Sequence, residues 1–596
     1  MAEKQSNETQ TETPALGALY AGIAQKSAAL LANYMARGTG VPANTDELGI
    51  AKAFFEAWSR MFADPVRIAG MQMKLWQEYM ALWQNSMLKM MGQEAPPVAQ
   101  PGRTDRRFKH EDWQNNFLYD YIKQSYLIAA RHLHESLGSV EGLDEKTSKK
   151  VDFYTRQYID ALSPSNFLLT NPEVMRETVN SGGMNLLKGL NNLLEDLTRG
   201  NGEQLRVRMT DTEAFKLGGN IATTRGKVVY QNDIMQLIQY EPLTASVHAT
   251  PLLIIPPWIN KFYILDLREK NSFVRWAVEQ GHTVFVISWV NPDEKLAHKS
   301  FDDYLTEGAL AALDVVRDIT GENQANVIGY CLGGTLLASA LAWLAAKRQN
   351  RIRSATFFVT MIDFERAGEL EVFIDEQQVG ALEKKMEARG YLEGSEMATT
   401  FNMLRANDLI WSFVVNNYLL GRDPFPFDLL YWNGDSTRMP ATMHSFYLRN
   451  MYLKNLLRQP GGITLAGVPI DIGKVKTPAY FISTIEDHIA PWQSTYAGAR
   501  LLKGPVRFVL GGSGHIAGII NPPEANKYGY WINEKPANTP GEWLEGATQH
   551  SGSWWTDWGQ WVSGHGGGMV EARKPGNAKY KPIEDAPGSY VQRRIG

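Results

Sequence analysis

The pattern of hydrophobic and polar residues changes near residue 202. Upstream of this point apolar residues recur at helical spacing, so that Met71, Leu75 and Tyr79 fall near one face of a helix. This spacing predicts a mostly helical N-terminal domain over residues 15–202. Residues 1–14 are almost all polar, which predicts a disordered tail.

Downstream of residue 202, short β-rich runs alternate with helical stretches. The β-rich runs occupy residues 227–231, 252–256, 283–289, 326–330, 355–360, 479–484 and 506–510. Helical stretches at 271–280, 303–319 and 333–348 separate most of them. This alternation is typical of a mainly parallel, doubly wound sheet, and it predicts an α/β domain over residues 203–596.

A long segment interrupts this alternation between the fifth and the sixth β-rich run. Residues 361–475 have a mostly helical pattern and are too numerous for a loop inside one compact domain. We therefore predict that they form a helical cap, inserted over the C-terminal edge of the sheet.

Composition excludes several function classes. The 596 residues are 44% apolar and 21% charged with a net charge of −4, which gives no sign of a nucleic-acid partner. The single cysteine, Cys331, excludes an internal disulfide and a cysteine-based zinc site, and a reducing cytoplasm is the simplest setting. The longest apolar run, 336–346, is too short to span a bilayer, so we expect no transmembrane segment. The glycines at 564–568 lack the setting of a phosphate loop, and we expect no metal and no cofactor.

The strongest chemical signal surrounds Cys331. The sequence Gly-Tyr-Cys-Leu-Gly-Gly at 329–334 follows a β-rich run and opens a helix. This context is the one that the G-x-S-x-G nucleophile elbow of an α/β-hydrolase fold requires, here with cysteine in place of serine. The helix N-terminus favours a thiolate, and the Leu332 N–H is the expected first oxyanion donor. The alternative is an inert cysteine packed as a small hydrophobic residue.

Candidates for an acid and a base follow two late β-rich runs. Asp487 comes after 479–484 and His515 after 506–510, which is the chain order of acid and histidine in this fold. Imidazole can accept the thiol proton, and a carboxylate can hold the required tautomer. Alternatively, Asp487 is a turn residue and His515 a surface histidine. The neighbouring His488 is a candidate for a secondary role, or it packs under the loop.

A further loop follows the β-rich run at 252–256. It is the expected source of a second oxyanion N–H, from Trp258 or Ile259. Asp266 is a weaker catalytic candidate, because a helix cap or a buried ion pair is the more natural interpretation. Tryptophans near the C-terminus line an apolar tunnel, bind polymer or simply pack together. They are Trp543, Trp554, Trp555, Trp558 and Trp561.

Several stretches resemble the polyhydroxyalkanoate synthases, most closely the single-subunit class I type. The stretches are GYCLGGT, PPWINKFYILDL, FDLLYWNGDSTRMP, STIEDHIAPW and GGSGHIAGIINPP. The similarity runs from about Trp113 to Arg594. It implies a Cys–Asp–His triad at Cys331, Asp487 and His515.

The resemblance also implies an activity. Members of this family polymerise (R)-3-hydroxyacyl-CoA and release CoA, through an acyl group on the cysteine. The class I resemblance implies 3-hydroxybutyryl-CoA as the substrate and a homodimer at the surface of cytoplasmic polyester granules. The Met- and Trp-rich N-terminal helices either contact the granule or simply pack on the catalytic domain. Whether His515 or Asp487 activates the elongating hydroxyl stays open.

Two other functions share parts of this pattern. A cysteine-dependent hydrolase, such as an intracellular polyester depolymerase or a thioesterase, would use the same elbow and triad, because these alone do not fix the acceptor. A non-enzymatic granule-coating protein needs only amphipathic helices, and three reactive residues in triad order argue against it. The extended match around Trp258 and Asp266, and the long N-terminal region, favour the synthase.

Overall fold

A computed structural model of the chain describes residues 25–26, 49–199, 205–535 and 537–594. The chain divides into two units. The first takes the described residues of Met1–Asp211 together with Phe401–Phe425, and the second takes those of Thr212–Thr400 and Pro426–Gly596. The tail predicted at 1–14 lies outside the described residues.

The described part of the first unit is built from helices. They are Ile50–Phe62, Pro65–Met90, Asp112–Asn115, Phe117–Gly138, Glu145–Ala161, Pro172–Asn180 and Met184–Arg199, with a 3-10 turn at Pro164–Asn166. Asp144 begins one of them by accepting hydrogen bonds from the N–H groups of Lys146 and Thr147. Leu82 and Ile128 meet in a small core, as expected for helices with one apolar stripe. No helix in the described parts of either unit is both long and apolar enough to cross a membrane.

Part of the segment predicted as a cap belongs to this first unit. Within Phe401–Phe425, the Asn417 carbonyl accepts a hydrogen bond from Asn192 Nδ2 at 3.1 Å. The backbones approach closely because Gly189 has no side chain, and a Cβ there would lie 1.8 Å from the Tyr418 carbonyl oxygen. These contacts join residues more than 200 positions apart, so the local pattern carried no signal for them.

The second unit is organised around one eleven-stranded sheet. In chain order its strands are β1 (Gly226–Gln231), β2 (Met235–Tyr240), β3 (Leu252–Ile255), β4 (Val284–Trp289), β5 (Ala325–Tyr330), β6 (Ile352–Phe358), β7 (Ala479–Thr484), β8 (Val506–Gly511), β9 (Tyr530–Ile532), β10 (Thr548–His550) and β11 (Glu584–Asp585). Their order across the sheet is β10-β9-β8-β7-β6-β5-β3-β4-β2-β1-β11. Two-stranded pairs join Ser246–His248 to Met569–Glu571, Tyr391–Leu392 to Met439–Pro440 and Thr464–Leu465 to Val468–Pro469.

The centre of the sheet is parallel and its edges are antiparallel. The six central strands, in the order β8, β7, β6, β5, β3 and β4, pair with one another in parallel register. The outer strands pair antiparallel. Every residue of β3, β4, β5 and β7 is buried, which explains why their sequences are nearly continuous apolar runs. The predicted parallel α/β sheet is confirmed at this centre.

Strand β2 was not predicted, because two glutamines interrupt its apolar pattern. Both Gln236 and Gln239 are fully buried in the sheet. The C-terminal stretch satisfies their side chains, since Gln236 accepts from the Tyr590 N–H at 3.1 Å and Gln239 from the Gly576 N–H at 2.8 Å. A buried amide is tolerated when it is hydrogen-bonded, and only the folded tail supplies these partners.

Helices occupy most connections of the second unit. Outside the cap region they are Phe273–Glu279, Phe301–Asp303, Ala311–Thr320, Leu332–Ala346, Trp492–Ala499, Pro540–Glu545 and Trp555–Ser563, with a π-helical stretch at Tyr304–Leu310. Short 3-10 turns lie at Phe262–Leu265, Glu269–Asn271, Glu294–Leu296 and Pro523–Ala525. The helix Leu332–Ala346 is apolar on almost every side because nearly all of its residues are buried.

The segment between β6 and β7 is helical, as the sequence predicted. Its helical elements are Gly368–Phe373, Glu376–Arg389, Gly394–Leu404, Asn407–Trp411, Val414–Leu419, Asp428–Asn433, Ala441–Tyr447, Leu448–Leu453 and Ile472–Lys474. Within it, Phe401–Phe425 clusters with the first unit, and the rest of the segment clusters with the second.

Candidate active site

Cys331 lies at a strained turn between a buried strand and a buried helix. It directly follows β5 and precedes the helix Leu332–Ala346. Its backbone has φ 51° and ψ −116°, a conformation that a residue with a side chain rarely adopts. The Cys331 N–H is held by the Phe358 carbonyl at 2.9 Å. Strand, sharp turn and helix are the features of a nucleophile elbow.

The two glycines after Cys331 allow the elbow to pack closely. A Cβ at Gly333 would lie 2.0 Å from the Ile255 carbonyl oxygen, and one at Gly334 would lie 1.9 Å from the Thr360 hydroxyl oxygen. No side chain fits at those distances. The helix N-terminus is thereby pressed against the end of β3, the strand next to β5 in the sheet.

Asp487 and His515 meet on the loops after β7 and β8. His515 Nδ1 donates to Asp487 Oδ2 at 2.7 Å. The other carboxylate oxygen, Oδ1, accepts from the N–H groups of Ile489 and Ala490, both at 2.9 Å. The Asp487 side chain is fully buried. The carboxylate therefore has one fixed orientation, and its second oxygen is the one that faces the imidazole.

The charges around His515 favour its protonated form. Burial by itself would lower the pKa of the imidazole, but Asp487 and, after it, Cys331 raise the pKa above its ordinary value through charge and hydrogen bonding. The imidazole therefore has a carboxylate on one side and the Cys331 thiol on the other. Such an arrangement can hold a proton taken from the thiol.

The loop that carries His515 is held by residues from two other elements. The Tyr330 hydroxyl donates to the His515 carbonyl at 3.3 Å. Further along the loop, Trp554 Nε1 donates to the Gly518 carbonyl at 2.9 Å, and Trp555 Nε1 donates to that of Ile519 at 2.8 Å.

Of the C-terminal tryptophans, Trp543 is buried in one hydrophobic core, and Trp554, Trp555 and Trp558 are buried in a second, against which the partly buried Trp561 packs. The packing alternative is thus correct for these tryptophans, and two of them also fix the histidine loop.

The predicted oxyanion donors lie beside the elbow. Leu332 is the first residue of its helix, so its N–H belongs to the turn whose donors have no acceptor within the helix. Ile255, the last residue of β3, pairs with Gly329, which brings the loop with Trp258 and Ile259 next to the elbow.

The secondary candidates have other partners. Both Asp266 oxygens are engaged by Thr224 and Ser272, with the shortest contacts at 2.6 and 2.7 Å. Burial raises the pKa of this carboxyl. Asp266 is therefore tied into a structural hydrogen-bond cluster. The His488 carbonyl accepts a long hydrogen bond of 3.4 Å from the Glu369 N–H. This contact involves the backbone of His488 and not its imidazole.

Two tyrosines that were not predicted lie near the nucleophile. Burial, followed by Tyr452 and Cys331, raises the pKa of the Tyr447 hydroxyl. Burial, followed by Cys331, raises that of Tyr452. The two rings lie 5.6 Å apart, edge to face. Both belong to the segment between β6 and β7, where the sequence shows many aromatic residues but no motif that would single these out.

Two family descriptions match the chain. Residues 104–277 match the family described as poly-beta-hydroxybutyrate polymerase (PhaC) N-terminus, and residues 251–522 match the alpha/beta hydrolase fold. The second match runs from the start of β3 past His515. The chain thus has the predicted α/β-hydrolase fold, and Cys331 lies at its strand-to-helix elbow.

The similar proteins are more specific. The chain is 51% identical over 532 residues to the poly(3-hydroxyalkanoate) polymerase subunit PhaC of Rhizobium meliloti, covering 89% of this chain and 87% of that protein. It is 50% identical to the poly(3-hydroxyalkanoate) polymerase of Methylorubrum extorquens, covering 90% and 88%, and 45% identical to the PhaC subunit of Cupriavidus necator, covering 89% and 89%. The chain therefore belongs to the poly(3-hydroxyalkanoate) polymerase family and is an acyltransferase-type enzyme.

Proposed function

We propose that this enzyme transfers (R)-3-hydroxyacyl groups, with 3-hydroxybutyryl-CoA as the substrate, through Cys331 to a growing polyester. One observation carries the proposal: Cys331 occupies a strained elbow beside a buried His515–Asp487 pair. The pair can accept the thiol proton and hold it, which leaves the thiolate as the nucleophile.

In the first step, the Cys331 thiolate attacks the thioester carbonyl carbon. A new carbon–sulfur bond forms, and the carbonyl oxygen becomes an oxyanion that backbone N–H groups can stabilise. The bond to the coenzyme A sulfur then breaks, and the leaving thiolate takes the proton held by His515. One thioester replaces another, so the step is nearly balanced in energy and suits a cysteine.

In the second step, a 3-hydroxyacyl hydroxyl attacks the acyl group on Cys331. An ester bond forms, the bond to the Cys331 sulfur breaks, and the hydroxyl proton moves to a base. Asp487 is a poor candidate for that base, since its Oδ1 is occupied by two backbone N–H groups and its Oδ2 by His515. This occupancy favours His515 as the base, with Asp487 holding its tautomer.

Polymerisation needs water to be kept from the acyl group, because hydrolysis would release the acid instead. The buried rings of Tyr447 and Phe364 and the partly buried ring of Tyr452 pack edge to face near Cys331. We assign the exclusion of water to this aromatic cluster of the cap segment.

The polyester product is apolar and leaves the aqueous phase as granules. We propose that the enzyme works as a homodimer at the granule surface in the cytoplasm. The helices Ile50–Phe62 and Pro65–Met90 support contact with that surface, because Trp58, Trp76 and Trp83 are about half exposed. Binding of the purified chain to polyester particles, compared with a Trp76→Lys/Trp83→Lys variant, tests this assignment.

Product analysis tests the function itself. The purified enzyme is supplied with 3-hydroxybutyryl-CoA, and released CoA is measured together with the chain length of the product. We expect CoA release coupled to insoluble polymer, both abolished in Cys331→Ala. Free 3-hydroxybutyrate in an amount equal to the CoA would instead identify a thioesterase and overturn the proposal.

A further inference from the structure

The 256–261 loop, which begins next to the elbow, is held through its carbonyl groups. Trp289 Nε1 donates to the Pro256 carbonyl at 2.8 Å, and Trp432 Nε1 donates to the Lys261 carbonyl at 2.7 Å. Both bonds are buried, so neither donor has water as an alternative partner. The two ends of the loop are therefore fixed by indole rings from different parts of the second unit.

The middle of the loop is held by the stretch around Thr437, to which an isolated β-bridge between Asn260 and Ser436 also joins it. The Thr437 hydroxyl donates to the Trp258 carbonyl, and the Thr437 N–H donates to the Ile259 carbonyl at 3.4 Å. A peptide unit is planar and trans, so its N–H points opposite to its carbonyl. Because the Trp258 carbonyl faces Thr437, the N–H of Ile259 faces away from it. Thr437 thus determines the direction of the predicted oxyanion donor.

A buried ion pair joins this loop to the stretch of chain that carries Thr437. Lys261 Nζ lies 2.7 Å from Asp435 Oδ1, and both side chains are 3% exposed. The Tyr263 hydroxyl donates to the other Asp435 oxygen at 2.9 Å. Lys261 Nζ also donates to the Val591 carbonyl at 2.7 Å. Both Asp435 oxygens therefore have a partner and Lys261 Nζ has two, in keeping with what a buried ion pair requires.

We infer that Lys261 and Asp435 are positioning residues that, together with Thr437, hold the 256–261 loop so that the Ile259 N–H is directed at the carbonyl oxygen of an acyl group on Cys331. The inference rests on the proposed acyl transfer. It assigns the pair a role in the rate of acylation and none in proton transfer, since its hydrogen bonds involve neither His515 nor Cys331.

The energetics of buried ion pairs support a positioning role over a purely stabilising one. Removing two charges from water costs about as much as their attraction returns, so such a pair adds little net stability. Removing one partner, however, leaves an uncompensated charge that the surrounding backbone must move to accommodate. Apart from one isolated β-bridge, between Asn260 and Ser436, the 256–261 loop belongs to no strand or helix that would resist that movement.

Two reactions of the Cys331 sulfur distinguish a misplaced oxyanion donor from a thiol that has lost its reactivity. Alkylation of Cys331 by iodoacetamide displaces iodide at a saturated carbon and develops no oxyanion. Acylation by 3-hydroxybutyryl-CoA develops one and needs the donor. We propose measuring both rates on the full chain by single-turnover mass spectrometry, with the acylation rate followed to substrate saturation.

The variants are Asp435→Asn and Thr437→Val, and the control is Asp557→Asn. Asp557 is a matched control because it also accepts from a tyrosine hydroxyl, that of Tyr480 at 2.9 Å, and from a cation, Arg507 at 2.6 Å. We expect the saturating acylation rate to fall about 100-fold in both variants, with half-saturation and alkylation unchanged. The control should keep the wild-type ratio of the two rates.

The outcomes are distinct. If Asp435→Asn fails to fold, as the loss of a cooperative urea transition would show, Thr437→Val decides, because it alters one hydrogen bond and no charge. The inference would be overturned if every variant with a normal alkylation rate also kept the wild-type ratio of acylation to alkylation. A wild-type enzyme that reacts with iodoacetamide but never with the thioester would overturn the proposed function, and the inference with it.

Discussion

The Nδ1 of His515 lies 2.7 Å from Oδ2 of Asp487, and the other oxygen of that carboxylate accepts two backbone hydrogen bonds from Ile489 and Ala490. The carboxylate cannot rotate without losing these bonds. The imidazole N–H consequently has to point at Asp487, which leaves the second ring nitrogen for Cys331. This one arrangement fixes the tautomer, the ring orientation and the site of the charge that develops on the ring.

The Asp487→Asn variant tests the tautomer. An asparagine can keep its oxygen on the two backbone N–H groups, but its NH₂ group then faces Nδ1 and favours the wrong tautomer. We expect overall turnover to fall by roughly 10³ to 10⁴-fold, as in other triads, while the fold is retained. Single-turnover acylation should be less affected than polymer growth, because the thiol is more acidic than a hydroxyl. Equal losses in both steps would contradict this split and show that the tautomer matters as much for the thiol as for the hydroxyl.

The His515→Gln variant removes the imidazole that is hydrogen-bonded to both Cys331 and Asp487. We expect no detectable polymer and no burst of CoA, because the thiol proton has no acceptor. The measurement is CoA release with a thiol reagent in the first turnover. His488→Gln is the natural control, being one residue from Asp487 on the same loop. A similar loss in that control would move the base to His488.

The three candidate residues could be singled out from the sequence because their signals are local. A nucleophile elbow is a strand, a turn with glycines and a helix within a dozen residues, and the acid and base each follow a recognisable apolar run. Cys331, Asp487 and His515 meet in space because parallel strands end at one edge of the sheet. The central strands of the sheet could be predicted for a similar reason, because each is a local apolar run. Strand β2 could not, because two buried glutamines interrupt its apolar pattern.

The supporting residues could not be found in this way. The partners of Lys261 are Asp435 and Val591, which are separated from it by 170 residues or more. Lys261 and Asp435 lie in two of the stretches that resemble the family, but no local pattern pairs them, since a lysine and an aspartate normally lie on the surface. The assignment of Phe401–Phe425 to the first unit depends in the same way on distant contacts. Such features arise from packing, which a single sequence does not display.

The Gly333→Ala variant tests whether the elbow requires close packing. An added Cβ would lie 2.0 Å from the Ile255 carbonyl oxygen, and backbone on both sides leaves no room for relaxation. We expect a loss of at least about 3 kcal/mol in the free energy of unfolding, the upper range for overpacking, together with loss of Cys331 alkylation. Urea unfolding and iodoacetamide labelling measure the two effects.

Gly380→Ala is the matched control for that substitution. It lies in the helix Glu376–Arg389, and a Cβ there would meet nothing within 4 Å. Alanine should stabilise this helix by about 1 kcal/mol and leave labelling unchanged. If Gly333→Ala were tolerated as well as Gly380→Ala, the close contact between the helix and β3 would not be essential.

The stacked pair of His248 and His282 predicts how stability depends on pH. The rings lie 4.7 Å apart, and the two ring nitrogens of His282 are buried without a hydrogen-bond partner among the described residues. Burial, and then the neighbouring His248, lowers the pKa of His282 to about 3. The unfolded chain binds a proton there near pH 6.5, whereas the folded chain does not, so stability is present above pH 6.5 and is lost as the pH falls towards 3.

The expected decrease in the free energy of unfolding is about 1.4 kcal/mol for each pH unit below 6.5. Urea unfolding at pH 7 and pH 5 should therefore show a pH effect that His282→Phe reduces by about 2 kcal/mol, since phenylalanine keeps the stacking and binds no proton. The exposed His298, changed to glutamine, serves as the control and should leave the pH effect unchanged. An undiminished pH effect in His282→Phe would mean that other groups take up the protons on unfolding.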